Sequence, residues 1–588
     1  MGYQRGKRQF SRPEPVDSDL SGLLNALEKA DGRNYGAYKS MIGQYRMDIW
    51  RPGAVLYLDR VQSDPYAPPS DFRLRLGPQQ LPFADQWWED DTAREAIADY
   101  LARRLCSVIH SFSPARPHFS MAQPGQEILR RSSVMLAPHP DIPGLPRGME
   151  LRFRMQLPAR GRSILGKTAA DLIEYDLIDI LDEAIFRAPK QQLEKQIQVL
   201  HDYRVARNEL EQRGLVAFIA DGSLLARESG VSDRPLQNAI KTTAPESLAV
   251  TMDLPYAGPT RGLGIKSGLT LIVGGGFHGK STLLRAVERG IYPHIPGDGR
   301  ELVVTNPTAM KLRAEDGRPV QAVCINDFIS DLPSGVDTLS FSTENASGST
   351  SQAAAIVEAV ESGSKVLLLD EDTSATNLLI RDPLMRCLVP SEPITPLVDR
   401  VEEMVAAGLS LIIVMGGSSD YLPLANQVIL LEDYLLHDVT ERSRSLFLGK
   451  ETEVTNRRGD AQKLALLSAH RPWPRATRLG DRLKLKTQGV DAFSINHELV
   501  DLRAVEQLVD SAQTALLARV IVSILGRSHQ LRDQNDSLTQ LIDSLLSEVR
   551  QKGLGALGTQ NPLSGDLAEV RTQEIHAALS RLRSLRFE

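Results

Sequence analysis

Residues 274–282 read GGGFHGKST, with Gly274, Gly279, Lys280 and Ser281 at the spacing G-x-x-x-x-G-K-S. Residues of these types at this spacing can hold phosphate. Glycines let successive backbone N–H groups turn toward phosphate oxygens without a clashing Cβ. Lys280 can reach β- and γ-phosphates, and the Ser281 hydroxyl can hold Mg2+. Gly275, Gly276, Phe277, His278 and Thr282 complete the candidate ATP-binding set. The flanking pattern suits the task. An apolar run at 269–273 (LTLIV) predicts a strand leading in, and residues 283–288 predict a helix leading out, closed by Gly290. Such a helix points its positive end at the same phosphates. His278 is read either as facing solvent or as acting on the phosphates directly.

A second strand pattern, KVLLLDE at 365–371, ends in two carboxylates. In a P-loop NTPase the first, Asp370, organises Mg2+ through water. Glu371 sits where a general base for the attacking water belongs. Another match to the loop pattern, GRSILGKT at 161–168, is set aside as a decoy. It lacks glycines at the variable positions, and no apolar strand ending in Asp follows at a workable distance. Lys167 there opens a helix over 169–188.

Between the two nucleotide motifs lies NASGSTSQ at 345–352, followed by an Ala-rich helical run. After Glu371 comes DTSATN at 372–377. These resemble the LSGGQ signature and the D-loop of ABC-type ATPases, in order and at the usual spacing. Closer still, GGGFHGKSTLL, PHIPGDGRE, RAEDGR, ASGSTSQAA, DEDTSATN, EPITP and MGGSSDY look like the predicted ATPases of the ABC class. So do QSDPYAPPS, LPARGR and GLVAFIADG before the loop, and VDL with EQL at 500–508 after it. The resemblance covers residues 20–525.

The resemblance implies a nucleotide-gated homodimer. Ser347, Gly348 and Ser349 of one chain would cap the γ-phosphate held by the other, with Ser374, Ala375, Thr376 and Asn377 as the D-loop. ATP and Mg2+ are the implied cofactors, and Glu371 and Lys280 the implied catalytic pair. Two departures stand out. ABC cassettes usually place His after the strand that follows the D-loop. Here LSLIIVM at 409–415 leads into Gly416-Gly417, which suggests slow hydrolysis or another group in that role. Gln321, Asn326 and Asp327 are alternative Q-loop residues.

Length and composition fit several globular domains. The chain has 588 residues, 42% hydrophobic and 24% charged, with a net charge of −6. The net charge argues against bulk nucleic-acid coating but leaves room for local basic patches. Three scattered cysteines suggest a reducing, cytoplasmic setting. No 18-residue apolar run exists, so no membrane span is expected.

The expected organisation is an α/β, P-loop ABC-type ATPase core flanked by an α+β N-terminal domain and a helix-rich C-terminal domain. Residues 1–18 read as a basic, disordered tail, 19–245 as the N-terminal domain, 246–435 as the ATPase domain and 436–588 as the C-terminal domain with a helical hairpin. Residues 112–147 read as loop and 240–262 as a connector. MELRFRMQL at 149–157 alternates strictly, as a half-buried strand does. Arg152 and Arg154 on its polar face, with Arg160 and Arg162 beyond, form either a solvated face or a phosphate-backbone contact. Arg482, Lys484 and Lys486, near Trp473, form a second basic run suited to single-stranded nucleic acid, RNA over DNA. The charged runs at 294–300 and 313–318 read as a surface salt-bridge network or a substrate sensor. The functional expectation is a soluble ATPase that drives clamp-like motion of its flanking domains on single-stranded RNA. The alternative is a protein-remodelling or scaffold switch without nucleic acid. With no membrane domain and no second cassette, a self-contained transporter is excluded.

Overall fold

The computed structural model describes residues 16–112, 118–389, 391–447, 464–468, 470–471, 474–475, 483–527, 537–557 and 563–587. The chain forms two compact units, one of residues 1–123, 131–193 and 560–566, the other of 124–130, 194–559 and 567–588. Residues 1–15 of the expected tail, Arg482 and Trp473 lie outside the described residues, whereas residues 16–18, also read as tail, belong to a strand, Val16–Asp19, paired in register with Gly43–Arg46.

The first unit is built on a seven-stranded sheet. Its strands are β1 (Val16–Asp19), β2 (Gly43–Arg46), β3 (Val55–Arg60), β4 (Ser70–Leu76), β5 (Phe119–Ser120), β6 (Val134–Ala137) and β7 (Gly148–Met155). They run β1-β2-β3-β4-β7-β5, with β6 also bonded to β7. β4 buries every second residue, Phe72, Leu74 and Leu76 among them, as its alternation requires. The helix Asp91–Phe112 packs on β6 and buries Ala93, Ile97, Leu101, Leu105 and Ile109, one stripe at helical spacing. A small hairpin, β8 (Ala159–Arg160) and β9 (Ser163–Ile164), precedes a helical run from Gly166 to Phe186.

Two expectations fail in this unit. The stretch read as loop supplies β5 and β6. β7 is not half-buried: seven of its eight residues are buried, Arg152 included. The polar face is covered because Gly565 passes so close that an added Cβ would stand 2.8 Å from the Arg152 Cβ.

The second unit holds two principal sheets. The first consists of β10 (Leu215–Ala220), β13 (Ala249–Leu254), β14 (Gly258–Lys266) and β16 (Val303–Thr305), antiparallel in the order β13-β14-β10-β16. A separate hairpin, β11 (Arg227–Ser229) and β12 (Ser232–Pro235), stands between β10 and β13 in sequence. The stretch read as a connector is therefore the β13–β14 hairpin. Position 245 falls between β10 and β13, two strands that both neighbour β14 in this sheet.

The second sheet carries the nucleotide motifs. Its strands are β15 (Leu269–Gly274), β17 (Met310–Leu312), β20 (Val366–Asp370), β21 (Ser410–Val414), β22 (Gln427–Glu432) and β23 (Leu435–Asp438). The hairpin β18 (Val320–Val323) and β19 (Phe341–Thr343) completes the numbering. The order is β17-β20-β21-β15-β22-β23, parallel except for the last pair. Both faces are covered, so the strands are almost continuously apolar. Leu271, Leu367, Leu369, Leu411 and Ile413 pack with the helix Gly348–Glu361. Ile272, Leu368, Ile412, Val414 and Ile429 pack with Leu283, Leu284 and Val287 of the helix Lys280–Arg289.

The C-terminal region adds a three-stranded antiparallel sheet, Leu485–Gln488, Ala492–Ile495 and Glu498–Asp501. Its main helices are Ser511–Arg527, Leu538–Lys552 and Thr572–Ser580. Among the described residues no helix is long and apolar enough to cross a membrane.

Candidate nucleotide site

Strand register brings the motifs to one edge of the sheet. Ile272 of β15 is level with Val414 of β21, and Val414 with Asp370 of β20. The Gly-rich loop and the two carboxylates thus leave the same, C-terminal ends of neighbouring parallel strands, where open α/β sheets bind ligands. Gly274 has φ +145°, and a Cβ there would stand 2.3 Å from the Leu431 carbonyl oxygen. Glycine is required at that point. Lys280 opens its helix, and its Nζ donates to the carbonyls of Gly274 at 2.8 Å and Gly275 at 2.7 Å. The ammonium is therefore folded along the loop itself. Phe277 stands fully exposed at φ +63°. His278 does not simply face solvent. Its Nδ1 accepts from the Asp433 N–H at 2.7 Å. Ser281 lies in the first turn of the same helix, and Thr282 follows it.

Glu371 is held by a device that residue types alone do not reveal. One carboxylate oxygen accepts from the Gly416 N–H at 2.6 Å and from the Gly417 N–H at 2.9 Å. A Cβ on Gly417 would lie 2.6 Å from the other oxygen, so glycine is needed for the approach. The backbone after β21 thus reaches Glu371 where the resemblance would have put a histidine.

The signature and D-loop segments are tied together. Ser347 caps the helix Gly348–Glu361, its Oγ accepting from the Thr350 N–H. Ser349 Oγ donates to Asn377 Oδ1 at 2.6 Å. Gln352 donates from Nε2 to Ser374 Oγ at 2.9 Å and accepts from the Ala375 N–H at 2.7 Å. Ser374 Oγ in turn donates to the Asp370 carbonyl at 2.8 Å. A continuous path of hydrogen bonds therefore joins the end of β20, residues 374–377 and the start of the signature helix. Thr376 is exposed beside it.

Ser281 and Asp370 offer a hydroxyl and a carboxylate, the hard oxygen donors Mg2+ prefers. Among the described residues no group of three His, Cys, Asp or Glu side chains could enclose a metal. Two protein oxygens with phosphate and water completing the shell is the usual manner of binding Mg2+ at a nucleotide.

The other candidates scatter. Arg152 is 4% exposed, ion-paired with Glu150, and donates to the Ser132 carbonyl at 2.9 Å. Arg154 bridges Asp71 at 3.2 Å and Asp566 at 2.7 Å. Arg160 and Arg162 are exposed on the β8–β9 turn, and Lys484 and Lys486 are exposed by the C-terminal sheet. The first charged run is more deeply placed than a surface network; in the second only Arg318 is buried, while Arg313 is half-buried and Asp316 exposed. The His294 Nδ1 lies 2.9 Å from the buried Asp298 carboxylate, and the half-buried Arg227 donates to that carboxylate at 2.7 Å. Burial would raise the Asp298 carboxyl, but those two partners hold it below the usual range. Burial pushes the neighbouring Arg300 guanidinium down to about 9. Arg318 pairs with Glu358 at 2.8 Å and Arg313 with Glu506 at 3.0 Å. Of the Q-loop candidates, Gln321 is buried on β18 and Asp327 accepts the Ala465 and Leu466 N–H groups. Asn326 accepts from the Thr338 hydroxyl.

Comparison with known families gives the same assignment. The P-loop domain model of the ABC ATPases matches residues 189–465, and the N-terminal model of the ATPases of the ABC class matches 20–188. The chain belongs to the ATPases of the ABC class. A C-terminal domain model named for MRB1590 matches 484–588 of this ABC-class ATPase. A curated relative, the uncharacterized protein MJ1628 of Methanocaldococcus jannaschii, is 30% identical over 269 residues. That match covers 44% of the chain and 59% of the relative. Among solved structures, cbiO1 of Clostridium perfringens, part of an ABC transporter complex, matches at 15% identity and a TM-score of 0.25. It covers 40% of this chain and 92% of that one. The ADP conformation of MJ1267, an ATP-binding cassette of an ABC transporter, matches at 10% identity and a TM-score of 0.24. It covers 41% of this chain and 98% of that one.

Proposed function

We propose that this ABC-class ATPase binds and hydrolyses Mg-ATP in a site shared by two copies of the chain in a head-to-tail homodimer. The observation that carries the reading is the common sheet edge from which the Gly274–Lys280 loop and Asp370–Glu371 emerge. In this reading the amides of residues 275–282 and Lys280 hold the phosphates. Ser281 and Asp370 hold Mg2+, which when bound neutralises developing charge on the phosphoryl oxygens. Glu371, steadied by Gly416 and Gly417, takes the proton of the attacking water. Ser347, Gly348 and Ser349 of the second copy cap the γ-phosphate. The hydrogen-bond path through Gln352, Ser374 and Asn377 supports coupling between the two halves of such a site, since it links signature, D-loop and carboxylate strand within one chain.

The proposed output is clamp-like motion of the flanking domains on single-stranded nucleic acid in the cytoplasm, RNA over DNA. Of the basic candidates among the described residues, Arg160, Arg162, Lys484 and Lys486 are exposed. One observation favours the second reading, a protein-remodelling switch: Arg152 and Arg154 are already matched by carboxylates and cannot serve phosphates as well. Two measurements test the proposal. ATP turnover by the purified chain should be lost in Glu371→Gln while ATP binding persists; wild-type turnover in that variant would remove Glu371 from the role. A mobility shift with single-stranded RNA and DNA should fall steeply with salt. No shift at low salt with ATP present would leave the remodelling switch.

A further inference from the structure

The signature segment is held from outside its own helix. Ala346, which precedes Ser347, exchanges backbone bonds with the charged run at 313–318. Its N–H donates to the Arg318 carbonyl at 2.9 Å, and its carbonyl accepts from the Gly317 N–H at 2.8 Å. The Glu315 N–H donates to Ser351 Oγ at 2.9 Å, and that hydroxyl donates to the Gly348 carbonyl at 2.8 Å. A Cβ on Gly348 would stand 3.3 Å from Asp316 Oδ1, so the run also lies against the signature glycine. The Ala314 N–H reaches the segment before the D-loop and donates to the Thr373 carbonyl at 3.0 Å. Residues 347–349 therefore stand where residues 313–318 place them.

The charged run is itself gripped by the C-terminal region. Arg581, directly after the helix Thr572–Ser580, forks onto the Glu315 carboxylate, its Nε donating to one oxygen at 3.2 Å and its Nη2 to the other. Both side chains are largely buried, at 8% and 16% exposure. Arg583 donates from Nη2 to the Gly317 carbonyl at 2.8 Å and from Nη1 to the carbonyl of Glu344, in the stretch that enters the signature. Arg586 pairs with the Glu344 carboxylate at 3.2 Å. A planar guanidinium making two bonds fixes direction as well as distance, which a single ammonium does not. Arg581 and Arg583 bond Ala577, Glu315, Gly317 and Glu344, and among the described residues none of these belongs to the phosphate loop.

We propose that Arg581 and Arg583 are positioning residues for the signature. Through the 313–318 run they set where Ser347, Gly348 and Ser349 stand when they meet the γ-phosphate held by the second copy. The inference rests on the reading of residues 347–349 as the cap of the other chain's nucleotide, and adds that the C-terminal region governs that cap. A group that touches no phosphate can act in this way, because a displacement of about 1 Å at a reacting centre costs on the order of a hundredfold in rate. The effect falls on the neighbour's nucleotide and spares the chain's own phosphate loop.

The test uses the whole chain carrying Arg583→Ala, or Arg581→Lys, which keeps the buried charge and loses the fork. Melting temperatures should stay within about 4 °C of the wild type. The Kd for ATP, measured by calorimetry on each variant alone, should be unchanged, while ATP turnover should fall by about tenfold or more. Complementation is the readout that a merely structural role would not move. Lys280→Ala has a damaged phosphate loop and an intact signature. Mixed with it, either arginine variant should regain turnover above the sum of the two proteins alone, because one shared site then joins an intact loop to an intact signature. Wild-type turnover in the arginine variants would overturn the inference. So would a loss of ATP affinity, or a loss of turnover that mixing does not relieve, since either places the damage in the variant's own loop. A control mixture of Lys280→Ala with Ser347→Arg, which blocks the signature directly, separates the two readings. If the control regains turnover and the arginine mixtures do not, the inference fails and the shared site stands. If the control does not regain turnover, the shared site fails and takes this inference with it.

Discussion

Lys280 and Arg152 are both basic residues that the sequence sets in suggestive company, and they end in opposite surroundings. The Lys280 ammonium is bonded to two backbone carbonyls, neutral acceptors with no charge to cancel its own. Arg152 lies almost fully buried beside Glu150, a carboxylate that also serves Arg73 at 3.3 Å and Arg75 at 2.6 Å. A cation held by neutral dipoles keeps its charge for an incoming anion. One that matches a buried carboxylate is part of the fold, and withdrawing it would leave that carboxylate unpaired in low dielectric. Motif company does not separate these cases; the identity of the hydrogen-bond partner does.

The contrast can be broken by experiment. The largest effect is expected at Glu150. Glu150→Gln leaves three arginines without their shared carboxylate and should destabilise the first unit by about 3–5 kcal/mol, read as a fall in its melting transition. ATP affinity should not change. Lys280→Ala should show the reverse: a loss of ATP affinity on the order of a hundredfold, from a charge-assisted contact of about 2–5 kcal/mol, with the melting transition in place. If both variants unfold, the distinction between the two cations collapses.

A smaller effect sharpens the account of the site. Gln352→Ala removes the bonds to Ser374 and Ala375 and should cost about 1–3 kcal/mol of stability. It should lower ATP turnover more than ATP binding, as expected of a group that links segments without touching phosphate. Equal losses in both would make Gln352 a packing residue only. The smallest effect belongs to the exposed arginines. Replacing Arg160 and Arg162 by Ala should change stability by no more than about 0.5 kcal/mol. If single-stranded RNA binds there, the salt slope of its affinity should fall by about 0.7 per arginine removed.

The difference also explains what could be read without a structure. The Gly-rich loop, its strand and helix, and the Asp370–Glu371 pair are local. Each is a short run whose residue types and spacing already contain the geometry. The same holds for residues 347–349 and 374–377. What escaped depends on groups far apart or on backbone. Asp566 meets Arg154 across more than four hundred residues. The amides that hold Glu371 belong to Gly416 and Gly417, and an amide has no residue type to announce it. The strands β13 and β14 were hidden by their Pro and Gly content, though they pair over six residues in regular register. One missed signal was within reach. Glu150 shares a strand face with Arg152, and a carboxylate at i−2 on a strand is a ready partner.

The central claim is that the phosphate loop of one chain is completed by the signature of another. The most direct measurement is the solution mass of Glu371→Gln with and without Mg-ATP, since a variant that binds but does not hydrolyse should hold the closed state. The account predicts a monomer without nucleotide and a dimer with it. A mass that stays monomeric at saturating Mg-ATP would contradict it.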